Sequence, residues 1–342
     1  MSVKTINFKS ISHGGLLILL AAIILAITIL VSFSIGRYPL KILDILNYFL
    51  TGKSADANIA TVLYQVRLPR IIGAVFTGGA LSIAGASYQS MFRNPMVSPD
   101  ILGVTSGAGF GASLAILLSL NMFGIQSLAF VFGIAAVLLA YGVSQTLSQN
   151  HDKTLMLVLS GMVVSTLFAS LISLLKFMAD TDSKLPSITF WLMGSLASIG
   201  ITDLKIVVPI VLSGLVPLIL VSWRMNVLSF GDEEAKAMGI HTGKLRVLII
   251  LCASLVTASI IAITGHIGWI GLIIPHFARL ITGPDNKVLM PFSFFLGGAF
   301  LLIVDDVARS ISTLEIPLGI ITSLLGAPCF LFFLRKSQKR SW

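Results

Sequence analysis

Apolar residues run through this chain in long stretches, and the polar ones are gathered into short breaks between them. Crossing ~30 Å of hydrocarbon at 1.5 Å per residue takes a run of roughly 20 residues. Ten runs meet that template or come close to it, near residues 14–35, 60–90, 99–119, 124–147, 154–177, 200–223, 245–264, 268–282, 290–307 and 316–334. The second is too long to cross upright and is expected to tilt or protrude. The eighth is too short to span comfortably unless neighbours shield it. A further apolar piece, about 187–199 and centred on "ITFWLMGSLAS", predicts a short re-entrant or interfacial helix with Trp191 at headgroup depth. The expected fold is all-α: a polytopic bundle of about ten transmembrane helices with a lined interior.

Composition sharpens this picture. With 56% hydrophobic and 11% charged residues and a mean hydropathy of +0.98, the 342 residues exclude an ordinary water-soluble globule. No linker or soluble insert interrupts the runs, so residues 1–342 are expected to form a single membrane domain. The first run is followed by no small-residue cleavage site, and the N-terminus is expected to be retained. Cys252 and Cys329 lie inside apolar runs and read as packing residues.

Ten crossings put both termini on one side, and the lysines and arginines say which. With both termini in the cytoplasm, the formal charge of +9 divides as about +8 inside and about +1 outside, the expected sign of the positive-inside bias. Net basicity is thus a topology signal. No basic stripe with interleaved exposed aromatics argues for nucleic acid.

The breaks carry the candidate chemistry. "LSFGDEEAKAMGI" (228–240) concentrates charge between two apolar runs. Gly231 breaks the preceding run, Asp232 is a plausible N-cap, Glu233 and Glu234 suit a first helical turn, and Gly239 supplies the stop. Ala235, Ala237, Met238 and Ile240 are expected to share one side of a short amphipathic helix. Such a helix suits a cytosolic partner, or it is a solvated turn joining two crossings. At the opposite ends, Arg67 and Arg70 of "VRLPR" begin the second run, and Arg309 follows Asp305 and Asp306. Arginine's planar fork suits carboxylates on a docking surface, whereas Arg309 can also snorkel beside the two aspartates. The aspartate pair, expected near the exterior edge where water reaches it, raises a second class of function: an ion-coupled secondary transporter.

Enzymatic readings are weak. "TGKS" (51–54) lacks the earlier glycine of a phosphate loop, since Asn47 stands there. His266 and His276 are ten residues apart, without zinc-hydrolase spacing, and no G-x-S-x-G nucleophile elbow occurs. No metal site is expected, and any ATP hydrolysis belongs to another chain.

Several long segments occur in a telling order: "VRLPRIIGAVFTGGALSIAGASYQSMFRNPMVSPDILGVTSGAG" (66–109), "LPSITFWLMGSL" (185–196), "FGDEEAKAMGI" (230–240) and "GWIGLIIPHFARLITGPD" (268–285). Together they resemble the iron-chelate, haem and cobalamin permease family of ABC importers. The resemblance implies ten helices per subunit in a type II importer architecture. It also implies a second, identical permease subunit, with two cytosolic ABC ATPases that hold ATP and Mg. A periplasmic or lipid-anchored binding protein would deliver the solute, and this chain would bind no cofactor of its own.

For individual residues the resemblance implies ATPase coupling by Gly231, Asp232, Glu233, Glu234, Ala235, Met238 and Gly239, and binding-protein docking by Arg67, Arg70 and Arg309. It implies a translocation path lined by Ser160, Gly161, Ser165 and Phe168 with Gly319, Ser323 and Gly326. A cytoplasmic gate is implied at Asn94, Met96 and Thr154, where "NHDK" (150–153) departs from the smaller polar residues of the cobalamin branch. The location implied is the bacterial or archaeal cytoplasmic (inner) membrane. Ferric siderophore is the leading cargo; haem, cobalamin and molybdate or tungstate are the alternatives.

Overall fold

A computed structural model describes residues 8–36, 38, 43, 45, 48, 51, 58–147, 153–311 and 315–337. Gly52 to Ser54 of "TGKS", and Asn150 to Asp152 of "NHDK", lie outside the described residues. Thirteen helices are formed among the described residues: α1 (Phe8–Ser34), α2 (Ile59–Phe92), α3 (Val104–Leu117), α4 (Met122–Leu147), α5 (Lys153–Met178), α6 (Lys184–Leu192), α7 (Ile201–Leu220), α8 (Ser222–Leu228), α9 (Asp232–Ala237), α10 (Thr242–Thr264), α11 (Ile270–Thr282), α12 (Asn286–Ile311) and α13 (Leu318–Ser337). Seven are long and apolar enough to span a membrane, and α3, α11 and the Leu318–Phe332 stretch of α13 are shorter apolar helices. These ten fall on the ten runs read from the sequence.

Length differences have local causes. The third run is divided: Pro99–Leu102 forms a 3-10 turn, Gly103 takes φ 82° and caps it, and α3 begins only at Val104. The second run is one helix of 34 residues whose first turns, Val62–Arg67, are widened into a π segment. Pro69 follows at the first α-helical turn, where a missing N–H costs least.

The elements form an axle and a sleeve. In α2, 89% of the apolar window is buried, against 22% in α4, 28% in α1 and α5, and 33% in α7. Helices α12, α10, α11 and α7 pack around α2, while α3 and α5 flank α4. Small residues make the axle possible, because hydrocarbon offers no hydrophobic drive and helices associate by close packing. Gly78 meets the backbone of Gly297 in α12, and Gly85 meets that of Gly271 in α11. Polar links add register: the Tyr88 hydroxyl shares a 2.7 Å hydrogen bond with Ser254 of α10, and Gln89 Nε2 donates to the Leu272 carbonyl at 3.1 Å.

The expected re-entrant helix is displaced. It spans Lys184–Leu192 rather than 187–199, since the chain turns at Gly194 with φ 73°. The non-helical remainder is tied down: Ser195 N–H donates to the Thr264 carbonyl at 2.8 Å, and the Gly194 carbonyl accepts from Leu318 N–H at 2.9 Å. Trp191 is half-buried and packs against the core.

Candidate functional sites at the two ends of the bundle

At one end, α1, α2 and α12 converge on a closed charge network. Asp305 accepts two hydrogen bonds of 2.8 Å from Arg70, one from Nε and one from Nη2. Arg70 Nη1 reaches Glu315 at 2.9 Å. Arg309 pairs with Asp306, and its Nη2 donates to the Ser32 carbonyl at 2.9 Å and the Ser32 hydroxyl at 2.8 Å. The Ser32 hydroxyl in turn donates to Asp306 at 2.7 Å. Arg67 donates to the carbonyls of Phe33 and Tyr38. The sequence suggested exposed guanidiniums and water-solvated aspartates, and the structure corrects both. Arg67, Arg70 and Arg309 are buried, and Asp305 is 0% exposed. Charges this deep persist only when paired, and each aspartate's partner stands one turn along α12 or across on α2. The pairing also leaves Asp305 and Asp306 engaged by arginines, which disfavours an ion-coupled site there.

At the opposite end, α9 is a six-residue knob held by two clamps. Gly231, with φ 133°, is the N-cap, so Asp232 is the first helical residue rather than the cap. Its carboxylate instead accepts from Arg246 Nη2 of α10 at 2.7 Å. Arg246 Nη1 donates to the Thr154 hydroxyl at 2.6 Å, so one guanidinium joins α9 to the start of α5. The second clamp lies on α8: Asn226 Nδ2 donates to Asp285 at 2.6 Å, and its Oδ1 accepts from Asn286 N–H at 2.8 Å. Asn286 accepts from Ser90 of α2 at 2.9 Å, carrying the clamp to the axle.

The apolar side of α9 also needs correcting. Ala235 is 0% exposed and Ile240 is buried, so these two fasten the knob to the bundle. Met238 is 62% exposed and Ala237 is exposed, on the outward side with Glu233, Glu234, Lys236 and Gly239. Ala235 therefore supports the surface rather than forming it. Phe230, 73% exposed beside the knob, lies in the quoted segment but was not among the residues singled out from the sequence. Its position just before the break at Gly231 was the available signal.

The residues expected to line a path mostly face inward. Gly161 lies against the backbone of Ile101 and Leu102, Ser160 is buried, and Phe168 packs on Phe110 and Phe132 with ring centroids 5.6 and 6.5 Å away. The Ser165 hydroxyl donates to the Gly161 carbonyl at 2.8 Å. Gly319 N–H donates to the Met193 carbonyl at 2.9 Å, and Gly326 abuts Trp269. Smallness marks the packed face, because that is where another backbone must approach. The open face of α5 carries Met162, Val163, Thr166, Leu167 and Ser170, and on α13 Ser323 remains exposed. Of the expected gate residues, Asn94 and Met96 are exposed in a turn closed by Met96 N–H donating to Asn94 Oδ1 at 2.9 Å. Thr154 is held by Arg246.

A cavity of about 750 Å³ lies at the Arg67 end of the bundle, between the α3–α4 turn, α6 and the end of α10. Ser183, Ser187, Ser195 and Ser198 line it together with Trp191 and Lys184.

This architecture is matched among known proteins. Residues 24–336 match the model of the FecCD transport family. The chain belongs to that family. It is 43% identical over 313 residues, covering 90% of this chain and 92% of the relative, to the molybdate import system permease protein MolB of Haemophilus influenzae. It is 37% identical to a probable iron chelatin transport system permease protein of Helicobacter pylori, covering 94% and 98% of the two chains. A solved metal-chelate type ABC transporter in an inward-facing conformation superposes with a TM-score of 0.84 at 39% identity, covering 93% of this chain and 98% of that one. The chain is thus a FecCD permease, a multi-pass membrane component of an ABC transporter.

Proposed function

We propose that this FecCD permease works as a pair of identical subunits in a type II importer of the cytoplasmic membrane, with both termini inside. Two ABC ATPases would grip the α9 knobs, and an external binding protein would load the solute at the Arg67 end. The observation that carries this reading is the knob. An acidic helix with an exposed flanking phenylalanine and methionine projects from the bundle, yet is pinned through Arg246 and Asn226 to α5, α10, α12 and the axle. A pull on such a knob is delivered to the helices rather than absorbed in a loop. Closure of the ATPases on ATP and Mg supplies the pull, and this chain contributes no nucleotide chemistry.

The substrate proposed is a metal chelate, foremost a ferric siderophore, in keeping with the iron chelatin permease among the relatives. Weak, non-chelating contact suits a conduit, since tight binding would slow release. Molybdate is the second reading, favoured by the 43% identical MolB. Proteoliposomes containing the permease, its ATPase and its binding protein test the scheme. Uptake that requires ATP and all three components supports it, and accumulation by the permease alone under an ion gradient overturns it. Titrating the binding protein with ferric chelates, haem, cobalamin and molybdate decides the cargo.

A further inference from the structure

A cavity of about 570 Å³ opens between the Gly231-side ends of α4, α5 and α10. Its deeper lining is apolar, with Leu157, Val247 and Leu251, and its mouth carries Lys153, Lys244 and Arg246. Among the described residues, no acidic one lines it. Arg246 is committed to Thr154 and Asp232. Lys153 and Lys244 are exposed and, among the described residues, take part in no ion pair. The cavity therefore joins an unsatisfied cationic rim to a greasy slot.

A second observation fixes the depth of that rim. The adjoining cavity of about 320 Å³ shares Lys244 and Leu248 and adds Trp223, Arg224 and His241. Trp223 is 44% exposed. An exposed tryptophan beside basic residues is the composition of the membrane–water boundary, which would put Lys244 at headgroup level and Leu251, seven residues further along α10, about 10 Å deeper.

We propose that the groove binds an anionic phospholipid, its phosphate between Lys153 and Lys244 and one acyl chain along Leu157, Val247 and Leu251. The chemistry selects this occupant. A free anion would make no use of the apolar wall, a zwitterionic lipid would leave the lysines uncompensated, and a second copy of the chain would bring further cations toward the same rim. Because Lys153 adjoins Thr154 and Lys244 precedes Arg246 by two residues, the lipid would brace the link between α5, α10 and the knob. The leaflet is the inner one under the orientation proposed above; the binding itself does not depend on that orientation.

Native mass spectrometry of the detergent-solubilised permease tests this with phosphatidylglycerol and phosphatidylcholine as probes. The intact chain should retain phosphatidylglycerol in preference. Lys153→Gln with Lys244→Gln should reduce that retention about tenfold or more and leave phosphatidylcholine unchanged, whereas Lys184→Gln at the far end should alter neither. Val247→Trp, which fills the slot without touching the lysines, should also displace phosphatidylglycerol. Equal retention of the two lipids, or wild-type retention by the double lysine variant, overturns the proposal. So does displacement of phosphatidylglycerol by glycerol phosphate as effective as by added lipid, or a shift in subunit stoichiometry in place of lipid loss. Uptake is not read, so the outcome stands apart from that of the transport reading.

Discussion

The two ends of this bundle hold the same kinds of residue in opposite states. At the Arg67 end, Arg70 and Arg309 pair with Asp305, Asp306 and Glu315 and Arg67 donates to two backbone carbonyls, with most of the charge out of reach of water. At the Gly231 end, Glu233, Glu234 and Lys236 stand exposed and only Asp232 is paired inward, to Arg246. Both clusters read in the sequence as surfaces for partners. The difference lies in what surrounds them: α1, α2 and α12 close around the first, whereas α9 is seated on the bundle by its buried Ala235 and turns its charges outward. A charged motif at a helix end therefore has two physical meanings, a lock between helices or a handle for another protein, and burial of the charge decides between them.

Breaking the lock should have the largest effect. Asp305→Ala leaves Arg70 buried with only Glu315, and is expected to cost about 3–5 kcal/mol, read as a lower unfolding midpoint in detergent. A loss under 1 kcal/mol would mean that water already enters the network. Next comes the seat of the knob: Ala235→Leu overpacks a fully buried position and should cost about 1–3 kcal/mol while also impairing ATPase binding. Arg246→Gln removes the partner of Asp232 and should cost about 1 kcal/mol, because Asp232 is partly solvated. Its sharper readout is transport, where ATP hydrolysis should persist with reduced uptake. Smallest in stability is Glu233→Ala with Met238→Ala on the handle, within about 0.5 kcal/mol of wild type, yet ATPase association measured by co-purification should fall severalfold. If the handle variant unfolds the protein, or the Asp305 variant is silent, the contrast between the ends is wrong.

The ten apolar runs, and with them the all-α membrane fold, were legible because hydrocarbon demands about 20 residues per crossing and each run meets or approaches that length between polar breaks. The short α9 was legible from Gly231 and Gly239, whose φ values of 133° and 80° lie where only glycine is comfortable. Side-facing was not legible. In a water-soluble helix, polarity marks the outside, but in lipid both faces are apolar and small residues gather where backbones meet. That is why Gly161 and Phe168 were read as a path although within the subunit they lie in a packing seam, while the exposed Met162 and Leu167 drew no notice. The long-range partners of Arg70 and Arg309 were hidden, whereas Asp306, three residues before Arg309, stood in plain view. Arg70 lies 235 positions from Asp305, and Arg309 lies 277 from Ser32, so no local pattern connects either pair.

The widened turn at Val62–Arg67 governs how α2 enters the lock. Ile59, Leu63 and Arg67 are buried at steps of four residues, and in an ordinary helix each such step would overshoot by about 40°. A roomier pitch absorbs the surplus and keeps all three on one side. Length and azimuth are thereby interchangeable here: removing a single residue from the segment would not shorten the crossing so much as screw Ile59 and Leu63 round toward the lipid while Arg70 stays bolted to Asp305. The start of the axle thus behaves as a phasing washer, and an insertion or deletion within it is felt as torsion.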